Sequence, residues 1–124
     1  MKNVTLKAAN EQDFFRRGKV LARLADADQP MPEERTVSFE DPADLLRLLT
    51  ASRLDLFRSV KAEPGSITVI AGRLHRDRSA VKRDVDRLAQ VGLVTIETKT
   101  LRGHGLRKEI RAAAGVFRLE AMVI

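Results

Sequence analysis

An α+β fold of the winged helix-turn-helix kind is what this sequence predicts: a three-helix core, a β-hairpin wing, and an N-terminal strand-helix extension. Three observations point to it. Two apolar helical patterns, a short one at 67–74 and a longer one from Arg78, are separated by a tight connection at His75–Asp77. After Gly92 the periodicity switches from helical to alternating. A glycine-bearing turn at 101–107 then divides two alternating stretches.

Taken in order, Val4 and Leu6 predict a short strand. Phe14, Phe15, Val20, Leu21 and Leu24 follow at helical spacing behind Asn10 as a cap. Two prolines and four acids make residues 26–34 a loop. Thr36–Phe39 reads as a strand. Asp41 suits an N-cap with Pro42 in the first helical position, and this helix extends to about Leu49. Thr50 or Ser52 opens the next helix, whose apolar residues are Leu54, Leu56, Phe57 and Val60 and which Pro64–Gly65 ends. Ser66 caps Ile67–Leu74, with Ile67, Ile70, Ala71 and Leu74 turned inward. The helix from Arg78 stops at Gly92. Leu93 onward alternates as a strand, and Lys108–Ala113 is the expected return. Val116–Val123 alternates again, with Phe117, Leu119, Ala121 and Val123 on one face. Residues 1–40 thus read as an extension suited to dimerisation or partner binding, and residues 41–124 as the winged domain.

Composition narrows the function. At 124 residues and 44% hydrophobic, the chain has material for a core, built mostly from aliphatic residues because aromatics amount to five Phe. It has no cysteine, which removes disulfides, thiolate nucleophiles and Cys-based zinc sites, and its two histidines, His75 and His104, are too few for a His-rich metal centre. No apolar run approaches the roughly 18–20 residues that span a bilayer, and MKNVTLKAANEQDFF lacks the apolar centre of a signal peptide, so a cytoplasmic location is expected. Asp84 and Asp86, two apart on a helix, do not face each other as a catalytic pair would, and no Ser/His/Asp set has a local signature. Neither enzyme activity nor a cofactor is expected.

The net charge of +6 is localised. Residues 66–111 hold eleven Lys or Arg against five Asp or Glu, whereas the rest of the chain balances. Such a local basic field suits a polyanion, nucleic acid first. At about 100° per residue, Val81, Val85 and Leu88 gather on one side of the longer helix. Ser79, Arg83 and Gln90 lie opposite, flanked by Lys82, Asp86 and Arg87. Ser79, Lys82 and Arg83, with Arg76 and Arg78 beside the first turn, are therefore the expected major-groove residues, since arginine forks onto guanine and serine and lysine suit bases or phosphates. The helix N-terminus is expected to favour a phosphate as well. In the wing, Arg102, His104, Arg107 and Lys108 supply cations around glycines that let the chain bend.

Around residues 36–93 the stretches VSFEDPADLLRLLTASRLDLFRSV and PGSITVIAGRLHRDRSAVKRDVDRLAQVGLV resemble a family of small bacterial and archaeal predicted transcriptional regulators, MarR-like winged-helix proteins of which some are antitoxin-like. The ending GHGLRKEIRAA…FRLEAMVI fits the same pattern. The resemblance implies that Arg76, Ser79, Lys82 and Arg83 lie on or next to a recognition helix and that Gly103 and Gly105 shape the wing. It departs at His75, where such motifs often carry glycine for a left-handed backbone. The expected function is a sequence-specific regulator of double-stranded DNA, a homodimeric and self-regulating repressor. Its dimer interface is expected in the N-terminal helix and the last strand, unless these complete the monomer core. An antitoxin that neutralises a partner toxin through its N-terminal half is one alternative. A winged-helix module that never touches DNA is another, though it would suit an acidic or apolar recognition face.

Overall fold

Four stretches of this chain begin with a side chain able to cap a helix, and in the computed structural model each of them does so. The structure describes residues 3–8, 33–101, 103 and 105–124, with the backbone alone of residues 3–8 and 101. Its elements run β1 (Asn3–Ala8), β2 (Glu34–Phe39), α1 (Pro42–Leu48), α2 (Ala51–Ala62), α3 (Ile67–Leu74), α4 (Arg78–Gln90), β3 (Val94–Leu101), β4 (Gly105–Ala112) and β5 (Val116–Ala121). Asp41 accepts from the Ala43 N–H at 2.9 Å, Thr50 from Arg53 at 3.3 Å, Ser66 from Val69 at 3.2 Å and Asp77 from Ala80 at 3.3 Å. Each bond satisfies one of the donors that a helix start leaves without a partner.

α2, α3 and α4 form the three-helix core and β3–β4 the wing, so the fold is a winged helix-turn-helix. Val81, Val85 and Leu88 of α4 are fully buried against Leu56 and Val60 of α2 and Ile70 of α3. The root of the hairpin joins the same core through Leu93, Val94 and Ile110. Gly65, just before α3, exchanges two backbone hydrogen bonds with Ile110 at 3.2 and 2.7 Å, tying the hairpin to the motif. The fit is close: a Cβ on Gly65 would stand 3.0 Å from the Arg73 guanidinium and 3.3 Å from Val69, so those side chains would have to give way by a few tenths of an ångström.

A second sheet packs against the three-helix core and shares its buried cluster. β2 is its centre, with β1 and β5 parallel on either side, and the register sets Val37 beside Leu119 and Phe39 beside Ala121. Val37 and Phe39 are buried, and Phe117 meets Phe57 of α2 edge-on with ring centroids 5.2 Å apart. The last strand therefore packs its apolar face on the monomer core. Arg35 shares that inward face at 1% exposure. Its Nη1 donates to the Gly92 carbonyl at 2.9 Å, and its guanidinium stands 6.0 Å from the Phe117 ring centroid. Burial lowers its pKa to about 10, so it stays charged at neutral pH, aimed at the carbonyl-rich end of α4 where the helix dipole favours a cation.

Several boundaries differ from expectation. β2 begins at Glu34, two residues before Thr36. The connection is shorter than the 101–107 expected: the ladder extends to the Leu101–Gly105 pair, and Gly103 and Gly105 hold φ of 80° and 74°. β4 thus starts at Gly105 instead of Lys108. Val123 does not join the inward face of β5; the strand ends at Ala121 and Val123 is exposed. The helix expected around 14–24 lies outside the described residues.

Candidate nucleic-acid interface

The turn between α3 and α4 sets the angle at which α4 is presented. His75 adopts φ 51° and ψ 45°, the left-handed conformation that its position requires. Its N–H donates to Gly72 at 3.3 Å and the Arg76 N–H to Ala71 at 3.0 Å, so the chain leaves α3 through a Schellman-type close. Two residues later Asp77 starts α4.

From there the helix divides cleanly. Val81, Val85 and Leu88 are fully buried, while Arg78, Ser79, Lys82, Arg83 and Arg87 are exposed. Lys82 pairs with Asp86 at 2.8 Å, four residues along; with both side chains about half exposed, such a pair is worth only a few tenths of a kcal/mol and is readily exchanged for a phosphate. Arg78 donates through Nε to the Thr68 hydroxyl at 3.0 Å, bracing the start of α4 against α3. The Ser79 hydroxyl donates to Asp77, keeping lone pairs to accept from a base edge. That bond, with the one from the Ala80 N–H, holds the Asp77 carboxyl below its usual value. The expectation of a phosphate at this helix start needs correcting: the Asp77 carboxylate already occupies the position and would repel one.

Arg76 has a different environment from its neighbours. Its Nη2 meets Asp84 at 2.7 Å, and Arg53 of α2 reaches the other oxygen of the same carboxylate at 3.0 Å. Arg53 also donates to the Arg47 and Leu48 carbonyls at 2.7 and 2.9 Å. Asp84 is thereby the hub that joins α4, α2, the end of α1 and the motif's turn. Partial burial opposes its ionisation, but the hydrogen bonds from Arg76 and Arg53 outweigh this and hold its pKa below the ordinary carboxylate value. Of the expected groove residues, Ser79, Lys82 and Arg83 face outward together, and Arg76 is committed to this inner network. Sequence reasoning weighed Asp84 only as half of a catalytic pair with Asp86 and passed over Arg53; the available signal was an acid on the flank of α4 bordering its buried side.

Arg107 and Lys108 are strand residues of β4, opposite Lys99 and Thr98 in the register. Lys108 is exposed and Arg107 half-buried. The Arg102 and His104 side chains lie outside the described residues. Elsewhere in the hairpin, Glu109 takes Lys99 at 3.1 Å and Arg111 at 2.8 Å, and Glu97 takes Arg111 at 3.3 Å, so two acids neutralise those two cations locally.

Residues 48–113 match the model of the HVO_A0114 family, which is just over half of the chain. The chain belongs to the HVO_A0114 family. The function of that family is unknown. Its matched segment runs from the end of α1 to the end of the hairpin and holds every residue of the interface just described, whereas β1, β2 and β5 lie outside it. Among solved structures, a possible transcriptional regulator from Methanosarcina mazei Go1 is similar at 22% identity and a TM-score of 0.47, covering 57% of this chain and 64% of that one. The chain thus spans a little under two thirds of that protein's length. No protein of curated function matches the sequence. Among the described residues no helix is long and apolar enough to cross a membrane.

Proposed function

We propose that this protein is a transcriptional regulator that binds double-stranded DNA, not an enzyme, and that it lays α4 in the major groove with the β3–β4 wing along the flanking backbone. The observation that carries this reading is the division of α4: Lys82, Arg83 and Arg87 stand exposed on a helix whose other face is fully buried, so the helix is held rigidly while its cations face solvent. Arg83 takes the base-reading role, forking onto guanine, and Ser79 accompanies it. Lys82 and Arg87 hold phosphates. Arg107 and Lys108, extended along β4, meet the backbone beside the groove. In the manner of MarR-like repressors, two copies bind a pseudo-palindromic operator near their own promoter, with half-sites roughly 34–36 Å apart.

The test is selection of bound duplexes from a random pool at fixed salt, followed by mobility-shift titration. A recurring half-site is expected. Arg83→Ala should weaken binding to it by about 1–3 kcal/mol and relax the preference at one position, whereas Arg107→Ala should weaken all sequences alike. A pure sample indifferent to DNA in dilute buffer overturns the reading.

A further inference from the structure

We propose that the outer edge of β5 pairs antiparallel with β5 of a second copy about a two-fold axis at Leu119, joining two three-stranded sheets into one of six strands. The inference gives the dimer of the proposed function its surface and does not itself require DNA.

β5 is the edge of its sheet, and among the described residues no strand pairs with its far side. The direction of its free hydrogen-bonding groups follows from one bond. The Val116 N–H donates to the Glu33 carbonyl at 2.8 Å, toward β2. Strand groups alternate in a parallel ladder, so Arg118 and Glu120 also face β2, and Phe117, Leu119 and Ala121 present N–H and C=O to the open edge. Burial marks the same boundary. On β2 the inward-facing Arg35, Val37 and Phe39 are closed off, whereas their β5 neighbours Phe117, Leu119 and Ala121 stay partly exposed because the sheet stops there.

The strand is self-complementary in one register. A two-fold at Leu119 sets Leu119 against Leu119 of the partner subunit and Phe117 against the partner subunit's Ala121, all positions whose backbone groups point the right way. On the solvent face it sets Arg118 directly opposite the partner subunit's Glu120, twice over by symmetry, in the closer, non-hydrogen-bonded pairs where side chains meet best. Val116, 57% exposed, then falls opposite the partner subunit's Met122, itself 77% exposed. Centring the axis on Arg118 or Glu120 would instead put like charges face to face. Both charged groups can turn across: the Arg118 side chain is 66% exposed and only 3.7 Å from Glu34, and Glu120 accepts one exposed hydrogen bond from Ser38 at 3.1 Å.

Charge reversal tests the register. Sedimentation velocity on the full chain should show a dimer. Arg118→Glu alone and Glu120→Arg alone each place like charges opposite one another and should raise the dimer Kd by about tenfold or more. Both sites are exposed, and unchanged circular dichroism will show that each variant folds. Mixed in equal amounts, the two variants restore both opposite-charge pairs and should form a heterodimer. A monomeric parent chain, single variants that remain dimeric, or a mixture that stays monomeric would each overturn the proposal. A dimer that ignores DNA would defeat the regulator reading and leave this one standing.

Discussion

Asp84 and His75 decide how α4 is held. Asp84 draws Arg53 and Arg76 onto opposite oxygens of one largely buried carboxylate. Asp84→Asn keeps the shape and removes the counter-charge, leaving two guanidinium groups without it, and should destabilise the fold by about 1–3 kcal/mol in urea denaturation at neutral pH. The native pKa lies below that of the unfolded chain. The stabilisation is therefore full above about pH 4, the unfolded value, and fades as pH falls through the native one. The gap between parent and variant should close on acidification; a gap that widened in acid would refute the role. His75 carries the opposite kind of cost, a left-handed backbone on a residue with a Cβ. His75→Gly should leave stability unchanged or raise it by up to about 1 kcal/mol, and His75→Ile should lower the melting temperature through a penalty of about 1–2 kcal/mol.

Helices were legible in this sequence because each carries a cap and all but α1 a buried stripe, and both signals are local. Asp41, Thr50 and Ser66 announce three starts, Asp77 caps a fourth although the sequence alone places it only in the turn, and the spacing of Val81, Val85 and Leu88 fixes which side of α4 faces out. The hairpin was less legible. Thr98, Lys99, Leu106 and Lys108 are all exposed, so no alternation of burial marks where its outer strands begin. The parallel sheet was invisible as a sheet, since nothing local says that 34–39 and 116–121 lie side by side. Arg35 was hidden for a related reason: a guanidinium in a strand reads as solvent-facing, and only the nearby end of α4 makes its burial tolerable. At the wing tip the decisive feature is backbone freedom. A Cβ on Gly105 would touch nothing within 4 Å, but φ 74° disfavours one. Gly105→Ala should therefore loosen the hairpin by about 1 kcal/mol while the helical core keeps its melting behaviour, and on the proposed function DNA affinity should fall equally for all sequences.

Across the whole molecule, fewer cations of the basic stretch are available to a polyanion than its eleven Lys and Arg suggest. Arg73 is spent on the Glu63 and Pro64 carbonyls, Arg76 on Asp84, and Lys99 and Arg111 on Glu109. The field left over is concentrated on α4 and β4. If that field meets phosphates, affinity for any duplex should drop at least about tenfold between 50 and 200 mM salt, and an affinity independent of salt would exclude it. The two sheets also differ in how far apart their strands lie in the chain. β3 and β4 pair between near neighbours in the chain, as Leu101 does with Gly105, but Ser38 and Glu120, bonded across β2 and β5, are 82 positions apart. Refolding should accordingly proceed in two tempos, the helices and hairpin assembling through short-range encounters and the central strand waiting for a distant neighbour. During that wait Val37 and Phe39 lack their cover, making this strand the segment most prone to capture by another chain before the native ladder closes.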